Sequence, residues 1–95
     1  MQLTPEDVAA AERLRGSAWP ALRALAAEVG RISGVDPDQI MGRCRTAAVS
    51  EARGIVMFAA HRNGIGKAEI ARALARDVST VAHGIEAERK RRGWK

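Results

Sequence analysis

Apolar side chains along this 95-residue chain recur three and four residues apart, the spacing of one helix face, and no stretch sustains the alternation of a half-buried strand. Thr4-Pro5-Glu6-Asp7 has the order of a helix start: cap, first-turn proline, then acids. It predicts a helix to about Arg15, stopped by Gly16-Ser17. A second helix is expected from about Trp19 to Ile32, with Pro20 in its first turn, Leu22, Leu25, Ala26 and Val29 as its buried stripe, and Gly34 as its end. Asp36-Pro37 predicts the cap and first-turn proline of a short helix through Met41, packed down by Ile40 and Met41. The stretch 42–46 reads as a basic loop. A long helix should follow over about 47–62, with Val49, Ala52, Val56, Ala59 and Ala60 on one apolar side and Ile55 and Phe58 widening it. Asn63-Gly64 is a helix stop.

The last two elements are joined by a turn too short for any other structure. Ile70, Ala71 and Leu74 share one side of a helix over about 67–75. Val81 and Ile85 share one side of another over about 78–90. Asp77 stands at the N-cap position, with Ser79 and Thr80 in the following first turn. Small Ala71 allows a close crossing. This is the outline of a helix-turn-helix, whose second helix presents short polar side chains to base edges in the DNA major groove. An ordinary helical hairpin has the same outline.

Charge favours the first alternative. The chain carries 16 Lys+Arg against 11 Asp+Glu, a net charge of +5. Residues 1–38 hold four arginines against six acids, while residues 39–95 hold the other twelve basic residues against five acids. Positive charge therefore sits with the motif, as a phosphate-binding surface requires. The Arg89-Lys90-Arg91-Arg92 run reads as a further basic patch or simply as a charged tail. Ala, Leu, Arg and Glu dominate and aromatics make up 3% of the chain, so the expected fold class is all-α. No long amphipathic helix pairs the charge with exposed bulky apolar residues, and no apolar span or signal peptide appears. The expected setting is cytoplasmic and nucleoid-associated, away from membranes.

Other chemistry is sparse. Cys44 is the single cysteine and there are two histidines, so neither a disulfide framework nor a zinc spacing is present. Arg43 and Arg45 flank Cys44 and should lower its pKa. Asp36 with Asp38, and Glu86 with Glu88, are expected on helix surfaces without a pocket, so no enzyme and no cofactor are expected. Trp19 and Trp94 are too far apart to form a stacking platform and are expected in the core or an interface.

Two stretches carry a family resemblance. Arg45-Thr46-Ala47-Ala48-Val49-Ser50-Glu51-Ala52-Arg53-Gly54-Ile55-Val56-Met57-Phe58 is similar to Arg-x-x-x-Val-x-x-x-Arg-x-Ile-Ala-Met-Tyr of the C-terminal DNA-binding domain of the bacterial replication initiator DnaA. Glu69-Ile70, followed by Arg76-Asp77-Val78-Ser79-Thr80-Val81-Ala82-His83-Gly84, resembles that family's Gly-Gly-Arg-Asp-His-(Ser/Thr)-Thr-Val-x-His-Ala. The resemblance covers roughly residues 22–90 and implies a Trp-repressor-like helical bundle. The chain departs from the family at three points. The Gly-Gly is shortened to Ala75, Val78 replaces a histidine, and residues 1–18 have no counterpart. Gly64-Ile65-Gly66-Lys67 is no phosphate loop, which would need Gly at His61 and Ser or Thr at Ala68.

The resemblance implies that Arg45 reaches into the minor groove and that Asp77, Val78, Ser79 and Thr80 read the major groove. Arginine suits a narrow, electronegative groove. Asp77 should cap its helix and can also accept from a cytosine amino group. Val78 can only pack on a thymine methyl. Ser79 can bond a base edge or a phosphate, and Thr80 fits a phosphate near the helix N-terminus. Arg43, Arg53, Lys67, Arg76 and His83 are expected phosphate anchors, although His83 could instead be partly buried. The expected domains are an N-terminal helical extension over 1–18, able to dimerise or recruit a protein partner, and a DNA-binding domain over 19–95. The expected function is sequence-specific binding of double-stranded DNA as a transcriptional or replication regulator without ATPase activity. The alternatives on the same scaffold are a protein–protein adaptor and a phage or mobile-element packaging or excision factor.

Overall fold

A computed structural model describes Pro5 and residues 18–93 of the chain. The expected N-terminal helix therefore lies outside the described residues, as does Trp94. Among the described residues the elements are α1 (Trp19–Ser33), α2 (Pro37–Met41), α3 (Ala47–Arg62), α4 (Lys67–Leu74) and α5 (Val78–Arg91), with no strand. None of these helices is long and apolar enough to cross a membrane.

Each start has a local cause. Asp36 caps α2 by accepting from the Asp38 N–H at 2.9 Å, with Pro37 in the first turn. The Thr46 hydroxyl accepts from the Val49 N–H at 3.4 Å to start α3. Ends are set by backbone geometry. Gly34, at φ 78°, ends α1 and donates to the Gly30 carbonyl at 2.8 Å.

The long helix α3 is the centre of the bundle and packs against the other four helices. Val49, Ala52, Val56, Met57, Phe58 and Ala60 are all buried, so α3 is enclosed on most of its circumference rather than along one stripe. Around it, Leu22 and Ala26 of α1, Ile40 of α2, Ile70 and Ala73 of α4 and Val81 of α5 are wholly buried. Trp19, Leu25, Val29, Val35 and Ile65 pack against this core from its edges.

The α4–α5 turn closes on Ala75, at φ 54° and ψ 47°. The Arg76 N–H reaches back to the Ala71 carbonyl at 2.9 Å and the Ala75 N–H to Arg72 at 3.3 Å. This left-handed closure is the arrangement that glycine fills without a Cβ penalty. Ala75→Gly is expected to stabilise the domain by about 0.5–1 kcal/mol, raising the melting midpoint by roughly 2–8 °C. Thermal unfolding followed by circular dichroism checks it, and an unchanged or lower midpoint would contradict the strain assigned to Ala75.

Candidate nucleic-acid interface

The start of α5 is open to solvent. Val78, Ser79, Thr80 and His83 are exposed, while Val81, Ile85 and Glu88 form the buried side of the same helix. Val78 is 48% exposed, a large apolar side chain left in water at the first helical position. Asp77 holds the N-cap position with an extended backbone, and its carbonyl accepts from the Val81 N–H at 3.1 Å. Its carboxylate makes no cap hydrogen bond. The expected capping role of the Asp77 side chain is therefore corrected: the carboxylate is exposed and makes no cap bond. His83 is exposed rather than partly buried.

The loop between α2 and α3 carries Arg43 and Arg45, both exposed and without an ion pair among the described residues. Cys44 between them is half-buried, its sulfur 3.7 Å from the Thr46 Oγ1. Hydrogen bonds from the Thr46 backbone and hydroxyl hold the thiol below its ordinary pKa, with a smaller contribution from the charge of Arg53. The neighbouring charges of Arg43 and Arg45, expected to lower it, are not the cause.

Arg53 does not face outward. It is 7% exposed and sends its guanidinium into the loop, where it meets four backbone carbonyls. Nε donates to Ile40 at 2.8 Å, while Nη2 lies 3.0 Å from the Gln39 oxygen, 2.9 Å from that of Gly42 and 2.9 Å from that of Cys44. Two of these carbonyls belong to the last turn of α2, where only the Gln39 oxygen has a backbone partner, the Gly42 N–H at 3.2 Å. The expectation that Arg53 anchors a phosphate is thus overturned, because the side chain is buried and its Nε and Nη2 hydrogens are turned to internal carbonyls. Burial, and secondarily the charge of Arg76, push the Arg53 pKa down.

Arg76 is half-buried, and its Nη2 donates to the same Gly42 oxygen at 2.7 Å. The structure therefore gives it an internal partner, on the loop, in place of the free guanidinium expected of a phosphate anchor. Lys67 is exposed at the start of α4.

Three of the four residues of the terminal basic run pair internally, while Lys90 is exposed. Arg89 pairs with Glu86 at 2.7 Å, and Arg91 bridges Glu88 at 2.8 Å and Glu51 at 2.9 Å. Arg92 donates to Glu88 at 2.7 Å and lies 4.8 Å from the Phe58 ring centroid. Glu88, expected at the surface, is 4% exposed. It follows Val81 and Ile85 on the stripe that faces α3, so its carboxylate is drawn under the helix end. Burial alone would raise the Glu88 pKa, but hydrogen bonds from Arg91 and Arg92 outweigh it and leave the carboxyl below the ordinary range. A carboxyl whose folded pKa is depressed stabilises the fold above its unfolded pKa and loses that contribution as pH falls through the folded value. Glu88→Gln should cost about 1–3 kcal/mol at pH 7. Its deficit relative to the parent should shrink as pH drops below the carboxylate range, which urea unfolding at pH 7 and pH 3 would read. A deficit constant with pH would show that the charge of Glu88 contributes nothing.

Two roles escaped the sequence reading, the loop clamp by Arg53 and the helix-end staple by Glu88, and each had a visible signal. Arg53 lies four residues after Val49 and three before Val56, in the middle of the apolar stripe. Glu88 lies three residues after Ile85. Periodicity placed both inside, but residue type suggested the outside.

The family model described as bacterial dnaA protein helix-turn-helix matches residues 23–87. No curated protein and no solved structure gives a match.

Proposed function

This chain belongs to the bacterial DnaA helix-turn-helix family, and from that membership we propose that it reads duplex DNA with two elements at once. The first turn of α5 enters the major groove and Arg45 the minor groove. Arg43, Lys67, Thr80 and His83 hold phosphates, and Ser79 holds a base edge or a phosphate. Asp77, with no cap bond to make, accepts from a cytosine amino group. Val78 selects a thymine methyl, so the preferred site differs from one read by a histidine at that position. The protein then acts as a transcriptional or replication regulator without ATPase chemistry of its own, and residues 1–18 are an added segment outside the DNA-reading unit.

The observation that carries this reading is the 2.7 Å bond from Arg76 to the Gly42 carbonyl. It joins the loop bearing two exposed arginines to the turn that begins α5. Unpaired positive charge and an exposed helix start thus lie side by side, while the terminal arginines, which could have competed for phosphate, are paired with acids.

Selection of bound sequences from a random duplex pool, followed by a salt titration on the winner, tests it. One sequence class should be enriched, with a thymine at the Val78 contact. Log affinity should fall linearly with log salt, by about 0.9 for each phosphate neutralised. Arg45→Ala should weaken the selected site roughly 5- to 100-fold, the range of a lost groove-inserted arginine. No enrichment together with a flat salt profile would overturn the reading and favour a protein partner.

A further inference from the structure

We infer that Arg53 and Arg76 are positioning residues that bracket the Gly42 carbonyl and so hold the 42–46 loop and the turn before α5 in one register. The inference rests on the two-element reading above and adds which side chains set the spacing between the elements. A carbonyl oxygen has two acceptor sites, and at Gly42 two arginine nitrogens approach. Arg53 Nη2 comes to 2.9 Å from α3, its two hydrogens shared with the Gln39 and Cys44 oxygens, and Arg76 Nη2 to 2.7 Å from the α4–α5 turn. The two donors arrive from 11 and 34 residues along the chain, so the bond pair is a tertiary tie and not a local turn. Neither guanidinium contacts a carboxylate among the described residues, so two positive charges converge without an acidic partner. What holds them is the set of carbonyls from Gln39 to Cys44, which the rigid Nε–Nη2 edge of Arg53 spans, Nε on Ile40 and the two Nη2 hydrogens shared among the other three, and which a lysine ammonium cannot span. The Arg53 fork shapes the loop. The Arg76 bond then fixes where that shaped loop stands relative to Asp77 and Val78, the next two residues after it in the chain.

The consequence is energetic coupling. With the tie intact, Arg45 and α5 meet the duplex as one preorganised unit. With it cut, the loop must be ordered on binding and Arg45 contributes less. A double-mutant cycle with Arg45→Ala and Arg76→Met in the full 95-residue chain measures this at fixed salt on the selected site. Arg45→Ala should cost roughly tenfold in the parent and about twofold or less in the Arg76→Met background. A plain phosphate contact at Arg76 would instead give equal losses in both backgrounds and a salt slope smaller by about one.

Cys44, the single cysteine, supplies a readout that needs no DNA. Its thiol is held low by Thr46 within the loop, and Arg76 is not among the causes. Removing Arg76 should therefore move the thiol chiefly by moving the loop. The midpoint of the pH profile of Cys44 alkylation by iodoacetamide should rise toward that of an ordinary thiol in Arg76→Met. It should rise likewise in Arg53→Lys, which keeps the charge and loses the fork. Equal Arg45 losses in both backgrounds, or an unmoved Cys44 midpoint in Arg76→Met, overturns the bracket. If the parent binds no duplex, the DNA-reading proposal falls, and the alkylation profile still decides whether the bracket orders the loop.

Discussion

Replacing Arg53 with methionine is expected to destabilise the domain by about 2–4 kcal/mol, although the new side chain is apolar and the site is buried. A methionine fills much of the same channel, so the loss comes from the acceptors left behind. The Ile40 and Cys44 carbonyls would lose their bonds to Arg53, while Gln39 keeps the Gly42 N–H at 3.2 Å and Gly42 keeps Arg76 at 2.7 Å. Arg53→Lys should recover part of the loss, since an ammonium can reach one or two of these oxygens but not all four. Urea unfolding of both variants is the check. A methionine variant as stable as the parent would mean that water satisfies the loop carbonyls as well as the guanidinium does. That outcome would reduce Arg53 to a packing residue.

The second large effect is expected far from the interface, at Gly30. A Cβ built there would stand 2.5 Å from the Val35 carbonyl oxygen and 3.0 Å from the Pro37 ring. The first of these is backbone and cannot swing aside as a flexible side chain would. Gly30→Ala should therefore force α1 and the start of α2 apart, at a net cost of about 1–3 kcal/mol despite alanine's better helix propensity. Because α2 ends at Met41, immediately before the Gly42 loop, the displacement should also reach the Cys44 thiol and raise its alkylation midpoint. Melting temperature and the Cys44 profile measured on one variant test both. A gain in stability, as helix propensity alone would give, would contradict the close approach.

The helical order was legible because it rests on local signals. Proline and capping residues mark where α2 and α3 begin, and glycines mark where α1 and α3 stop. These act within a few residues and need no tertiary context. The place of Asp77, Ser79 and Thr80 at an open helix start was legible for the same reason, since the buried stripe of Val81 and Ile85 leaves them on the exposed side. What misled was residue chemistry taken without its position on the helix. Arginine in a basic stretch suggests phosphate, yet Arg53 occupies a buried stripe position. The four terminal basic residues suggest a charged patch, yet Glu51, Glu86 and Glu88 lie within reach of three of them.

Sequence alone was enough for the all-α class, the boundaries of the five described helices to within a residue or two, the family and the exposed polar residues at the start of α5. All of these follow from period, cap chemistry and contiguous motif. Which cations stay free and which are paired was settled by packing. That depends on the crossing of α3 with α5, which brings Glu51 to Arg91, and on the meeting of Arg53 and Arg76, from different helical elements, at one carbonyl. Hydrogen bonds of that range are set by packing geometry, and no local spacing encodes a contact 34 residues away.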